Sequence, residues 1–221
     1  MPDAITDLLS ELFKAINNLS KAGLLDQFNR LLSRLVRKAR NEGMYQVLDY
    51  ESILELMDVQ GRKARFCKRE KVRYLQDNII AFQDQAWGAG KILVDYQCSP
   101  GVPVDCYRAG YKIYTLISLR EVKKKSDEDE FKINWKIQKG FLRKTGFWGT
   151  DINHETDRIK VQVIFPKLRP PLSASILENN RQRTTDLGKD HFRQLPDERW
   201  VVTWEVSKPR LYEQYLLCWQ W

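Results

Sequence analysis

The chain has 221 residues, 43% of them hydrophobic and 11% aromatic with seven Trp, which supplies a packed core and excludes an intrinsically disordered chain. Its formal charge of +8 is uneven: residues 1–60 hold seven Lys/Arg against nine Asp/Glu, net −2, whereas residues 62–73 hold seven against one, net +6. Four Cys without CxxC spacing and two His at no ligand spacing to them argue against a structural zinc site, and no apolar run reaches the roughly 18–20 residues of a membrane span.

Residues 1–43 read as a helical hairpin. Ile5, Leu8, Leu9, Leu12, Phe13, Ile16 and Leu19 recur at i, i+3, i+4 and i+7, Asp3 offers an N-cap, and Gly23 offers a left-handed stop. A second helix runs from Leu25 to Arg40 with Leu25, Phe28, Leu31, Leu32, Leu35 and Val36 on one face, and Asn41-Glu-Gly43 ends it. Two helices alone bury too little surface to be stable. Their stripe therefore packs on the rest of the chain or docks a partner, with Leu8, Leu12, Phe13, Phe28, Leu32 and Leu35 as the candidate partner face.

From Met44 the period changes to two. Ser52–Met57 and Lys63–Cys67 flank Asp58-Val-Gln-Gly61, a hairpin turn with Gly at its end. Glu70–Gln85 fits either strands or one irregular helix, and Trp87-Gly-Ala-Gly90 marks a turn. Lys91–Gln97 and Tyr111–Val122 read as strands, and Lys123–Glu130 as a solvated charged loop. Phe131, Ile133, Trp135 and Ile137 alternate with Lys132, Asn134, Lys136 and Gln138, which makes a long hairpin with Tyr111–Val122 the expectation. Gly140–Gly149 reads as a loop with Phe147 and Trp148 near its tip. Arg158–Phe165 reads as a central strand, with Ile159, Val161, Val163 and Phe165 inward, followed by a basic, proline-rich exit through Pro171. Trp200–Val206 and Tyr215–Trp221 are the last two strands.

Chemistry-bearing motifs are scarce. No GxGxxG, P-loop, GxSxG or HExxH pattern occurs, so the sequence assigns no catalytic residue, no cofactor and no metal. His154 and His191 sit in polar connections, and Asp95 and Asp105 are not singled out by any spacing. Cys67 is the thiol best placed for reactivity, since Arg65, Lys68 and Arg69 would lower its pKa. The basic segment is the main signal outside the core. Arg62, Lys63, Arg65, Lys68, Arg69, Lys71 and Arg73 would contact phosphates, with Phe66 or Tyr74 adding base stacking where exposed. The alternative is a solvent-facing edge strand whose lysines block aggregation. Lys167, Arg169, Arg181 and Arg183 form a second cluster for an acidic partner or a phosphate, or an ordered loop across the end of the fold.

Val161-Gln-Val-Ile-Phe-Pro-Lys-Leu-Arg-Pro-Pro171, Val202-Thr-Trp-Glu205 and Tyr215-Leu-Leu-Cys-Trp-Gln-Trp221 resemble an accessory β-module of bacterial, cyanobacterial-type, multidomain signalling or defence proteins. The resemblance covers roughly residues 50–221, carries over no active-site residue, and implies an interaction module beside an effector or sensor.

The expected fold is α+β: a helical hairpin, 1–43, followed by an antiparallel β-sandwich or barrel-like domain, 44–221. The expected role is a non-enzymatic cytoplasmic adaptor or regulatory protein that binds a partner protein. Nucleic-acid binding through residues 62–73 is the alternative. No membrane span is expected, and Met1-Pro-Asp-Ala lacks the basic start of a secretory leader. The oligomeric state is left open.

Overall fold

Alternating apolar and polar side chains shape nearly every segment of residues 44–221, which the structure, a computed structural model, describes. The strands are β1 (Tyr45–Leu56), β2 (Lys63–Tyr74), β3 (Ile79–Ala86), β4 (Lys91–Ser99), β5 (Val102–Ala109), β6 (Lys112–Lys123) and β7 (Glu128–Gln138). They continue as β8 (Thr145–Asp151), β9 (Arg158–Phe165), β10 (Ser173–Glu178), β11 (Arg183–Asp186), β12 (Phe192–Gln194), β13 (Trp200–Ser207) and β14 (Gln214–Gln220). Two single-turn 3-10 segments, Asn179–Arg181 and Lys189–His191, are the only helical elements among the described residues.

The expected α+β class is therefore corrected: the described chain is all-β. The helical hairpin, with Leu8, Leu12, Phe13, Phe28, Leu32 and Leu35, lies outside the described residues. No helix among the described residues is long and apolar enough to cross a membrane.

Three sheets form. The largest has the order β12-β13-β9-β1-β2-β7-β4, and two smaller ones have the orders β11-β10-β14-β8 and β3-β6-β5. The expectation of an antiparallel sandwich or barrel-like domain is corrected at one pair, because β9 runs parallel to β1, from Tyr50 opposite Ile159 to Glu55 opposite Ile164. That pairing joins segments about a hundred residues apart, and a local period of two carries no information about it.

Both smaller sheets cover one face of the seven-stranded sheet. The four-stranded sheet packs through Trp148 against Phe66 and Trp135, with ring centroids 5.0 and 5.8 Å apart, and through Trp219 against Phe165 at 5.7 Å. The three-stranded sheet packs through Phe82, stacked on Phe131 at 3.9 Å and tilted against Tyr45 at 5.3 Å. Such pairs contribute about 0.5–1.5 kcal/mol each beyond area burial. β2 runs beneath both smaller sheets.

This layering corrects two local expectations. β6 pairs with β3 and β5, whereas β7 pairs with β2 and β4, so Tyr111–Val122 and Phe131–Ile137 do not form a hairpin. A tight turn, with the Asp127 amide donating to the Lys124 carbonyl at 3.1 Å, instead carries the chain from one layer to the other. Residues 145–151 are a strand, not a loop, and Trp148 is buried.

At one end of the fold three loops are tied together. In the β1–β2 turn the Asp58 carboxylate accepts the amides of Gln60, Arg62 and Lys63 at 2.9, 3.0 and 2.6 Å. Gly61 there has φ +67°, and a Cβ on it would lie 1.9 Å from the Phe141 carbonyl oxygen. The Phe141 amide donates to the Gly61 carbonyl at 3.1 Å. Arg169 donates to the Val59 carbonyl at 2.7 Å and lies 3.7 Å over the Trp221 ring. Trp221 Nε1 in turn donates to the Arg143 carbonyl at 2.9 Å. Residues 57–62, 139–144 and 166–172 thus form one fixed surface.

Candidate functional site

The basic segment becomes β2, a central strand between β1 and β7; it is not an edge strand. Strand parity divides its charges. Arg65, Arg69, Lys71 and Arg73 point to the outer face, where neighbouring strands meet them with carboxylates. Arg65 pairs with Glu55 at 2.7 Å, and Arg69 pairs with Asp49, Glu51 and Glu130 at 2.5, 3.2 and 3.2 Å. Lys71 and Arg73 share Glu128 at 2.7 Å each. The acidic run Asp127–Glu130 is therefore partly counter-charge to β2, since Glu128 opposes Arg73 and Glu130 opposes Lys71 in register.

Arg158 of β9 extends the network, bonding Asp49 at 2.6 Å, Glu51 at 2.8 Å and Glu205 at 3.1 Å. Partial burial pushes the Asp49 carboxyl up, but its bonds to Arg158 and Arg69 hold it below the ordinary value; Glu51 behaves alike. Phe66 and Tyr74, the proposed stacking residues, are buried on the inner face.

Lys68 lies on the inner parity and is 8% exposed. Its ammonium is 2.5 Å from Asp84 Oδ1 and 2.8 Å from Glu70 Oε2, and the Tyr96 hydroxyl donates to Asp84 Oδ2 at 2.9 Å. Burial pulls the Lys68 ammonium down, but Asp84 and Glu70 outweigh it and raise it well above the ordinary lysine value. Asp84 belongs to β3 and Tyr96 to β4, so the cluster fastens the seven-stranded sheet to the three-stranded one. A cavity of about 30 Å³ beside Lys68, reaching Gln85, Trp148 and Thr150, marks the seam between the two smaller sheets. Lys68 is thus part of the core and not a surface contact.

The other sequence candidates disperse. Lys167 pairs with Glu198, and Arg181 and Arg183 both pair with Glu178. Arg169 holds the loop end together. Asp95 pairs with Lys136 at 2.7 Å, and Asp105 accepts the Cys106 amide at 2.8 Å. Contrary to expectation, burial pushes the Cys67 thiol up in spite of Arg65, and burial does the same to Cys98 and Cys218. His154 stacks on Tyr45 at 4.1 Å. His191 Nδ1 lies 2.8 Å from the Thr203 carbonyl, which only accepts, so the ring carries a proton on Nδ1. Among the described residues no group of three or more His, Cys, Asp and Glu is placed to hold a metal ion.

What the fold does assemble is a groove of about 680 Å³ at the fixed loop end. Trp87, Phe141, Phe147 and Trp148 give it aromatic walls, and Lys139 and Arg143 line it. Trp87 and Phe147 stack with centroids 6.3 Å apart and planes 29° apart. Trp87 is held by its Nε1, which donates to Asp151 Oδ2 at 3.1 Å, and Asp151 is itself held by Lys112 at 2.8 Å and Gln214 at 2.7 Å. Gly146 in the groove wall is required by close approach, because a Cβ there would lie 2.5 Å from the Trp219 ring. Arg62, Lys63, Lys91 and Lys144 surround this end through backbone neighbours: the Lys139 amide donates to the Arg62 carbonyl, Lys63 and Lys91 both oppose Gln138, and the Trp221 amide donates to the Lys144 carbonyl. None of Arg62, Lys63, Lys91, Lys139, Arg143 and Lys144 has a carboxylate within ion-pair distance among the described residues.

No protein-family model and no curated protein matches the chain. Among solved structures it is similar to an M1 zinc metallopeptidase from Deinococcus radiodurans, at 10% identity and a TM-score of 0.47, over 81% of this chain and 43% of that one. It is similar also to a protein described as a protease from Parabacteroides distasonis, at 8% identity and a TM-score of 0.47, over 80% and 40%. The chain spans less than half the length of either structure, and likenesses this loose transfer no role.

The groove is composed of residues that the sequence does not group. Its walls come from 87–89, 139–143, 145–148, 173–175 and 218–220, and only the sheet pairing brings these together. The buried Lys68 cluster, in contrast, had a readable signal: Lys68 and Glu70 share parity with Phe66, Val72 and Tyr74.

Proposed function

We propose that residues 44–221 form a non-enzymatic binding module whose loop end docks a partner protein, in the manner of a cytoplasmic adaptor or regulatory subunit. One observation carries this reading. Leu168 and Leu172 are 82% and 71% exposed on a loop that Arg169 pins in place, and Met57, 55% exposed, stands on the adjoining turn. A mobile tip presents leucines at little cost, but a fixed loop that keeps them in water favours burial against a second surface. The exposed cations Arg62 and Lys63 beside this patch, whose amides bind the Asp58 carboxylate but whose side chains have no ion pair among the described residues, suit an apolar partner pocket with an acidic rim.

The test places a photo-cross-linking amino acid at Leu168 in cells, with Ile80, an exposed apolar residue of the three-stranded sheet, as control. A discrete adduct from position 168 only, lost with Leu172→Asp, is expected. Identical adducts from both positions, or none from 168, would discard the reading. Leu168→Asp with Leu172→Asp should leave the melting temperature unchanged, since neither side chain is part of the core.

A further inference from the structure

We infer that the aromatic groove at β8 is a binding site for single-stranded nucleic acid, with bases stacked on Phe147 and Trp87 and phosphates held by Lys139, Arg143 and their neighbouring cations. This goes beyond the docking of a protein at Leu168 and Leu172 and rests on other lining side chains, Lys139, Arg143, Trp87 and Phe147, with Arg62 and Lys63 adjoining both surfaces.

Three observations converge on it. The first is how this chain treats its cations. On the outer face of the seven-stranded sheet Arg65, Arg69, Lys71 and Arg73 each have a carboxylate within 3.2 Å. Lys139 and Arg143, which line the groove, and Arg62, Lys63, Lys91 and Lys144, their neighbours along the backbone pairing, have none among the described residues, although the end is built around the same sheet. A fold that matches charge to charge in one place and leaves several cations together in another has an anion site at the second. Asp186 is the carboxylate in the groove lining, and it stands at the end of the short edge strand β11.

The second observation is aromatic. Phe147 is 51% exposed, and Trp87 beside it is fixed by its bond to Asp151. A planar, pre-oriented hydrophobic platform bordered by unpaired cations is the combination that binds a flexible polyanion carrying flat bases. An acidic peptide would satisfy the cations but has no need of the ring faces.

The third is shape. A partly open space of about 680 Å³, lined by the Trp87 turn and by residues of β8, β14 and β10, has room for part of a single strand. A duplex would hide the base faces that the aromatic platform requires.

The test uses fluorescein-labelled ten-nucleotide oligomers, (dT)10 and (rU)10, titrated with the full chain by anisotropy at several salt concentrations. Binding is expected, with log K falling against log [salt] at about −0.7 for each phosphate contacted, so roughly −2 to −3 for three or four contacts. Phe147→Ala should weaken binding about 5- to 100-fold by removing one stacking surface, with Phe147→Tyr restoring it. Lys139→Glu with Arg143→Glu should weaken it by more than tenfold and flatten the salt slope. All three side chains are exposed, so circular dichroism and melting should match the parent protein. Leu168→Asp should leave oligomer affinity unchanged.

Equal binding of (dT)10 and (rU)10 identifies readout by stacking and phosphate, and preference for either identifies the strand the groove takes. No binding to either at low salt overturns the inference. So does competition by a polyglutamate peptide of equal charge as effective as the oligomer itself, which would reveal an acidic-peptide site. Thymidine monophosphate competing as well as (dT)10 would overturn the assignment to a strand.

Discussion

Replacing Lys68 by Met should remove a charge from the core while nearly keeping the side-chain volume, and the loss of stability should be large. In the parent protein one ammonium serves two carboxylates, Asp84 at 2.5 Å and Glu70 at 2.8 Å, whose side chains are only 3% and 9% exposed. Removing one partner of a buried ion pair costs about 3–5 kcal/mol, because the remaining charge is left in a medium that solvates it poorly. Here two carboxylates are left facing each other, which sets the expectation at the upper end, near 5 kcal/mol. A domain of this kind has only about 5–15 kcal/mol in total.

Urea denaturation followed by tryptophan fluorescence is the appropriate assay, since Trp135 and Trp148 line the cavity beside Lys68. With a slope near 2 kcal/mol per molar, the midpoint should fall by roughly 2.5 M. Combining Lys68→Met with Glu70→Gln and Asp84→Asn leaves no uncompensated charge and should recover most of the loss. The sign of the pH dependence follows from the raised Lys68 pKa: the contribution is complete below the ordinary lysine value of 10.5 and disappears as pH rises through the folded value. A cost under about 1 kcal/mol, or a triple variant no more stable than the single one, would refute the reasoning.

Three further outcomes are expected. Gly61→Ala forces a side chain into a left-handed turn 1.9 Å from the Phe141 carbonyl, so it should cost about 1–3 kcal/mol and speed hydrogen exchange at the Phe141 amide. Asp49 and Glu51 have folded pKa values below their ordinary ones, so their contribution is present above roughly pH 4.5 and lost as pH falls through the folded values. The stability difference between the parent protein and Arg158→Gln, measured by urea titration at pH 7 and again in strong acid, should shrink accordingly. In iodoacetamide labelling resolved by mass spectrometry, Cys106, the exposed cysteine, should react well before Cys67, Cys98 and Cys218, which are partly covered and whose thiols burial pushes up.

Local alternation located most strands because one face of each is covered. Ile159, Val161, Val163 and Phe165 are all essentially inaccessible, and Trp200–Ser207 pairs beside them. The reading failed where the determining fact is non-local. Phe131–Ile137 and Tyr111–Val122 both alternate and are joined by a short charged turn, so a hairpin was the natural inference. Yet the two strands belong to different layers, and nothing within either sequence states which face meets which sheet. Gly140–Gly149 reads as a loop in the sequence. Gly146 and Gly149 instead let β8 lie close to β14: a Cβ on Gly149 would be 1.9 Å from the Tyr215 carbonyl oxygen.

Charge density proved a poorer guide than charge pairing. The segment 62–73 has the highest basic density in the chain, but its neighbours in the sheet carry matching carboxylates at matching registers, so most of its field is cancelled within a few ångströms. That match was present in the sequence as two complementary alternating strands, Arg69, Lys71 and Arg73 against Glu128 and Glu130, and it becomes visible only once the strands are paired. Lys139, Arg143 and Lys144 look unremarkable in a linear count, and the sequence does not join them to Arg62 and Lys63 at the start of the basic segment. They matter because the sheet ends where they begin: past Gln138 and before Lys63 no described neighbouring strand faces their side chains with a carboxylate, and Asp58 in the adjoining turn is occupied by backbone amides. The edge of the regular structure is therefore where uncompensated positive charge accumulates, and a groove bordered by Trp87 and Phe147 opens at that same edge.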